Sequence, residues 1–187
     1  VVVAGGGDGT VSSVAASLLD TPKALAVLPL GTFNFFARRI GMPLVLDAAL
    51  EVIANGETTT INVGEVNGRT FLNNSSIGLY PAILKQREST YRRVGRSQAA
   101  AYLSFALVMI RPPGFLHLEV AADGRAIARR TSLLFVGVNP YQLEAFGIPG
   151  YECVHDGRLA IYMTSPLSAV RLWGLGVRGF FRGLHGA

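Results

Sequence analysis

Four glycines surround one carboxylate near the start of this chain. In VVVAGGGDGTVSSVAASLL, Gly5, Gly6, Gly7 and Gly9 flank Asp8. A glycine-rich turn between an apolar strand and a helix suits an anion. Backbone N–H groups converge there, and the helix N-terminus adds partial positive charge. Without side chains in the way, the backbone can approach a phosphate closely. Two common phosphate loops are excluded: the lysine of GxxxxGK[ST] is missing, and the spacing is not GxGxxG. Asp8 should repel a phosphate unless something stands between them. A hydrated Mg²⁺ does that; alternatively the carboxylate takes a proton from an attacking hydroxyl. Thr10 offers its hydroxyl to a phosphate or caps the helix. The plainer alternative is a tight turn in which Asp8 is a helix cap.

Other reactive side chains form no constellation. His117, His155 and His185 are scattered without metal-ligand spacing. Cys153 is the one cysteine, so no internal disulfide forms and a reducing, cytoplasmic compartment is expected. No Ser-His-Asp order is apparent. No nucleic-acid module is recognisable, and aromatics are not interleaved with basic residues as on a base-stacking sheet.

The elements that must position these groups follow from the apolar pattern. Of 187 residues, 50% are hydrophobic and 16% charged, which is globular rather than disordered. The net charge of +5 fits a phosphorylated ligand, an anionic surface or simply a solvated basic face. Residues 1–4 and 24–30 are apolar strands, each followed by a glycine turn and a helix, the first over 11–19. A further helix over 46–54 ends at Asn55-Gly56. This alternation predicts parallel strands with right-handed crossovers. From about residue 58 the character changes. A strand over 58–66, an Asn67-Gly68 turn and a return over 69–74 read as a hairpin. Strands are also expected over 115–121, 125–138 and 158–163, with Asp123-Gly124 as a turn. The apolar run 98–110 is too short to span a bilayer and reads as a buried helix. Residues 165–187 read as helical despite five glycines. The expected fold class is α/β, with a partial parallel-sheet domain over 1–60 and an antiparallel, sandwich-like domain with helices over 61–187. The chain opens on Val1 inside a strand, without Met, and is read as an excised segment that lacks a preceding strand.

Two motifs carry a resemblance. Gly6-Gly7-Asp8-Gly9-Thr10 is similar to the GGDGT signature of diacylglycerol kinases, sphingosine kinases and NAD kinases, and "PLGTFNFFARRIGMP" resembles the PxGTxNxFAxxxG segment of the diacylglycerol kinase catalytic domain. "VNGRTFLNNSSIGLYP" and "DGRLAIYM" resemble later landmarks, so the likeness covers nearly the whole chain. It implies an ATP-dependent lipid kinase of bacterial type that moves the γ-phosphate of Mg²⁺-ATP to a lipid hydroxyl. The ATP contacts it implies are Gly6, Gly7, Asp8, Gly9, Thr10, Val11 and Ser12 in the first loop, and Gly31, Thr32 and Asn34 in the second. Asp8 takes a metal-binding or activating role. The "YECVHDGRL" stretch implies a second Mg²⁺ position at Asp156, with the carbonyls of Cys153 and Arg158; an ordinary Asp-Gly turn is the alternative. The implied partners are a lipid substrate and the surface of a membrane, approached peripherally, with a homodimer as a further expectation. Arg92, Arg93 and Arg96 in "KQRESTYRRVGR" suit anionic headgroups, or form a solvated loop. Arg171, Arg178 and Arg182 are read as the basic edge of a packed helix.

The departures from the family pattern matter as much. Phe35 and Asn62 stand where many relatives carry acids that join the loop aspartate in a water-and-magnesium network. The family's general base, in a DGE-type motif near the C-terminus, has no counterpart here, so this segment alone is expected to be inactive. These points keep two other readings open: a catalytically impaired nucleotide-binding module, and a kinase for a sphingoid base or NAD.

Overall fold

The computed structural model describes residues 1–95, 97–110, 113–145 and 147–165. The helix expected over 165–187 falls, beyond Ser165, outside them, as does Arg96. The contacts divide the chain into two compact units. One comprises Val1–Ser75 and Val136–Ile161, the other Ser76–Phe135 and Tyr162–Ala187. This division falls elsewhere than at residue 60, because residues 136–161 return to the N-terminal unit.

The first unit opens with the predicted alternation: β1 (Val2–Gly6), α1 (Asp8–Leu18), β2 (Leu25–Pro29), α2 (Phe35–Arg39) and α3 (Leu46–Asn55). β1 and β2 pair in parallel, from Val2 opposite Leu25 to Gly6 opposite Pro29. Ala4 and Val27 face each other in that register and are both buried. They share a core with Val11 and Ala15, Phe36 and Ala37, and Leu72. Val11 and Ala15 lie four apart, so one stripe of α1 meets the sheet. Small residues at Ala4, Ala15 and Ala37 let both helices pack close to the strands.

β3 (Gly64–Val66) and β4 (Arg69–Phe71) form the predicted hairpin. Asn67 and Gly68 have φ of 50° and 71°, the left-handed pair that a two-residue turn between twisted strands requires. The strand expected from residue 58 starts only at Gly64, where Phe71 is its last ladder partner and lays its ring over the glycine. Later in the chain come β5 (Asn74–Gly78), α4 (Leu79–Val94), α5 (Gln98–Ile110), β6 (Leu116–Ala122), β7 (Arg125–Thr131), β8 (Leu133–Gly137), α6 (Pro140–Ala145), a 3-10 turn (Tyr151–Val154) and β9 (Ala160–Met163). β5, β8 and β9 form one sheet with β8 in the middle.

Within the second unit, α4 packs on α5, with Leu79 and Val108 buried against Ala82, Ile83 and Leu133. β6 and β7 are antiparallel through the Asp123-Gly124 turn, again with positive φ at both residues. The fold is therefore mixed α/β, with a parallel pair at the N-terminus and antiparallel hairpins after it. The basic stretch around residue 90 is not a loop: it belongs to α4.

Candidate functional site

The two glycine bends meet. Both follow parallel strands, so both lie at the carboxyl edge of the β1–β2 pair, the edge at which open α/β sheets receive ligands. The Leu30 N–H donates to the Gly6 carbonyl at 3.1 Å. A Cβ on Gly31 would collide with Cα of Gly7, and one on Gly7 would come within 3.2 Å of Cα of Gly31. Glycine at both places is what allows the bends to touch. Helix α1 starts immediately after Gly7. The amides of Asp8, Gly9 and Thr10 occupy its first turn, where no intrahelical acceptor exists. The amide of Val11 is the first to close a turn, onto the Gly7 carbonyl at 3.1 Å.

Asp8 does not cap its own helix. Its carboxylate crosses to the second bend and caps α2, whose first two amides it receives: Phe35 N–H donates to Oδ2 at 3.2 Å and Phe36 N–H to Oδ1 at 2.9 Å. The Asn73 side chain adds a third donor, Nδ2 to Oδ1 at 3.0 Å. The carboxylate thus sits at the positive ends of two helices and accepts three hydrogen bonds, so its negative charge is compensated by the protein. Oδ1 takes two of these bonds and Oδ2 only one, which leaves Oδ2 with acceptor capacity.

Asn34 is the residue preceding α2, yet it offers that helix no side-chain bond. Its side chain turns back into the bend. Nδ2 donates to the carbonyls of Pro29 at 3.2 Å and Gly31 at 2.8 Å, and Oδ1 accepts the Gly31 N–H at 2.9 Å. It is 7% exposed and has a φ of 52°, a left-handed conformation that asparagine tolerates. Asn34 braces the Gly-Thr-x-Asn turn and leaves the capping of α2 to Asp8. Around it, Thr10 and Thr32 are exposed, Ser12 is half-buried, and Val11 is buried in the core, so only the backbone of Val11 faces the bend.

The remaining sequence candidates lie apart from this cluster. Asp156 is exposed, beside a glycine with φ of 76°. The Cys153 carbonyl accepts the N–H groups of Asp156 and Arg158, each at 3.2 Å. Both of its lone pairs are engaged in turn bonds, and the Arg158 side chain is exposed. Asn62 lies next to this turn: its Nδ2 is 3.0 Å from where a Cβ of Gly157 would be. Among the described residues, no three His, Cys, Asp or Glu side chains are grouped to hold a metal ion. Arg92 and Arg93 are exposed on the last turn of α4. A cavity of about 330 Å³ in the first unit, walled by Leu18, Leu25, Phe36, Ile40 and Ile53 among others, involves none of the glycine-loop residues.

Sequence reading missed Asn73 and Asn139. Asn139 is fully buried and donates from Nδ2 to Asn73 Oδ1 at 2.7 Å and to the Phe35 carbonyl at 3.0 Å. Three residues so far apart in the chain leave no linear signature. Arg39 was also passed over. It donates to the carbonyls of Leu72 at 3.3 Å and Asn62 at 3.0 Å, and burial lowers the pKa of its guanidinium from the ordinary value.

Comparison with known proteins places these features. Residues 1–66 match the family described as the diacylglycerol kinase catalytic domain. The chain is 37% identical over 135 residues to the "Probable lipid kinase YegS-like" of Pseudomonas fluorescens, an alignment covering 66% of this chain and 44% of that protein. It is 29% identical over 140 residues to a diacylglycerol kinase of Staphylococcus aureus, covering 74% of this chain and 44% of the relative. The chain thus spans less than half the length of these curated relatives. Among solved structures, the crystal structure of a diacylglycerol kinase from Bacillus anthracis strain Sterne superposes with a TM-score of 0.63 at 25% identity, over 90% of this chain and 55% of that one.

Proposed function

We propose that this chain, whose residues 1–66 match the diacylglycerol kinase catalytic domain, is the nucleotide-binding part of an ATP-dependent lipid kinase, one that transfers the γ-phosphate of ATP to a lipid hydroxyl. One observation carries the reading: two glycine bends touch at one sheet edge, and the carboxylate of the first caps the helix that follows the second. Such an edge suits a triphosphate. The first-turn amides of α1 lie at it, and glycine at positions 7 and 31 keeps side chains out of the closest approach of the bends. Phosphoryl transfer asks the protein mainly to place the reactants and to compensate charge.

The donor set fits a cation shared with the nucleotide rather than a protein cage. Mg²⁺ keeps few protein ligands and takes the rest from phosphate and water; here Oδ2 of Asp8 is the oxygen with room. When bound, the ion neutralises charge on the phosphates. The Asp156 turn is left out of this reading, because the Cys153 carbonyl is already engaged twice. A lipid acceptor sits in a bilayer, so the proposal includes peripheral contact with a membrane surface. Among the described residues no helix is long and apolar enough to cross one.

The test is Asp8→Asn in the full-length protein, assayed for transfer of labelled phosphate from ATP to a diacylglycerol, a sphingoid base and NAD. The expected outcome is transfer to a lipid by the parent and a loss of about 100-fold or more in the variant. Full activity in the variant overturns the role of Asp8, and transfer to NAD alone overturns the acceptor. A second reading has its own support: Phe35 and Asn62 replace the acids of many relatives, which favours a module that binds nucleotide without using it. ATP binding without transfer to any acceptor would establish that reading.

A further inference from the structure

We propose that Asn73 is the positioning residue for the loop carboxylate, and that Asn139 fixes the direction in which Asn73 points. The argument rests on hydrogen-bond polarity. Asn139 Oδ1 accepts the backbone N–H of Gln142 at 3.2 Å, and its Nδ2 donates to the backbone carbonyl of Phe35 at 3.0 Å. An N–H can only donate and a carbonyl can only accept, so the Asn139 amide has a single orientation. Its second Nδ2 hydrogen goes to Asn73 Oδ1 at 2.7 Å. Asn73 must then present its own Nδ2 to Asp8, which it does at 3.0 Å. The Val138 N–H, donated to the Asn73 carbonyl at 2.9 Å, anchors the backbone beneath this side chain.

The chain of bonds starts at two backbone groups of invariant polarity and ends at the carboxylate. Every neighbour it presents to Asp8 is a donor. Three donors converge on the carboxylate, so the chain fixes where it points. It also engages Oδ1 twice and leaves Oδ2 as the outward oxygen. Among the described residues no arginine contacts the carboxylate. Arg38 donates to the Phe33 carbonyl and the Tyr141 hydroxyl, and Arg39 to the carbonyls of Leu72 and Asn62. Among the described residues, neither of these cations makes an ion pair with Asp8. Asn139 lies at 0% exposure, which shields the links of this chain from competing water.

The inference deepens the kinase reading but can be tested apart from it. The measurements are amide hydrogen exchange at Phe35 and Phe36, whose N–H groups the Asp8 carboxylate accepts, and steady-state phosphate transfer, both in the full-length protein, parent against Asn73→Leu, with Asn73→Ser as a smaller change should the first variant fail to fold. With the donor removed the carboxylate is held less firmly at α2, and exchange at Phe35 and Phe36 is expected to speed up about tenfold. In the transfer assay, kcat is expected to fall about 10- to 100-fold while KM for ATP moves less than about threefold. Exchange at Phe35 and Phe36 that does not change in a folded variant overturns the proposal. A KM change without a kcat change also does so, since it marks ordinary loss of binding. If the parent transfers no phosphate to any acceptor, the kinase reading fails while exchange at Phe35 and Phe36 still decides the role of Asn73.

Discussion

At Gly31 the addition of one methyl group decides whether the site exists. The alanine Cβ would collide with Cα of Gly7 and come within 2.8 Å of Asn34 Oδ1. Neither neighbour can swing away, because one is backbone and the other is bonded three ways. Gly31→Ala is therefore expected to part the bends, costing about 1–3 kcal/mol of stability and weakening nucleotide binding roughly tenfold or more. Gly9→Ala is the control for stability: a Cβ there meets nothing within 4 Å, so the unfolding free energy should change by no more than about 0.5 kcal/mol. Urea unfolding and calorimetric titration with ATP check both, and equal behaviour of the two variants would refute the close approach. The glycines and Asp8 were legible in the sequence because a loop without side chains is rare enough to stand out. Asn73 and Asn139 were not. An asparagine is common in turns, and only the fold shows that two of them stand in line behind a carboxylate.

Among the elements, α2 is too short at five residues to persist alone, and it is held by what surrounds it. Asp8 closes its first turn, Phe36 and Ala37 bury one side, and Arg39 ties its end to Leu72 and Asn62. Arg39→Met keeps the apolar stem but leaves two carbonyls without their donor. The expected cost is about 1–3 kcal/mol, read as a lower urea midpoint. Arg38→Met, at an exposed neighbour, should cost much less, and no difference between the two would contradict the clamp. The strands and helices of the first 60 residues were readable because apolar runs and glycine breaks alternate there without ambiguity. Helix α4 was misread as a loop because KQRESTYRR looks solvated. The signal was present in Leu79, Ile83, Gln86 and Thr90, which recur every three or four residues. It was reinforced by Glu88 four residues before Arg92 and by Gly95 at a φ of 82°, with its N–H on the Tyr91 carbonyl, to close the helix. Charged residues with long straight side chains are good helix formers, so a solvated stretch need not be a loop.

For the molecule as a whole, the return of residues 136–161 to the first unit was beyond sequence reading. Periodicity describes each element and says nothing about which distant segment joins which body. Asn139 reaches Asn73 only because of that return, so the missed topology and the missed positioning residue have one cause. Net charge, by contrast, is a global property that the sequence states outright: +5, with Lys85, Arg87, Arg92 and Arg93 on α4. Arg92 pairs with Glu88 at 3.3 Å, but both side chains are largely exposed, and such a pair contributes little. Arg92 and Arg93 therefore remain available to an anionic surface. Each basic residue close to such a surface contributes about 1 kcal/mol. Replacing both by glutamine should thus lower partition onto vesicles containing an anionic lipid by roughly thirtyfold, with no change on neutral vesicles. Because the attraction is long-ranged, raising salt to about 0.5 M should weaken the parent's binding to the same vesicles. Co-sedimentation measures both effects. Binding to anionic vesicles that is indifferent to salt and to the double substitution would mean that these arginines serve only to keep α4 in water.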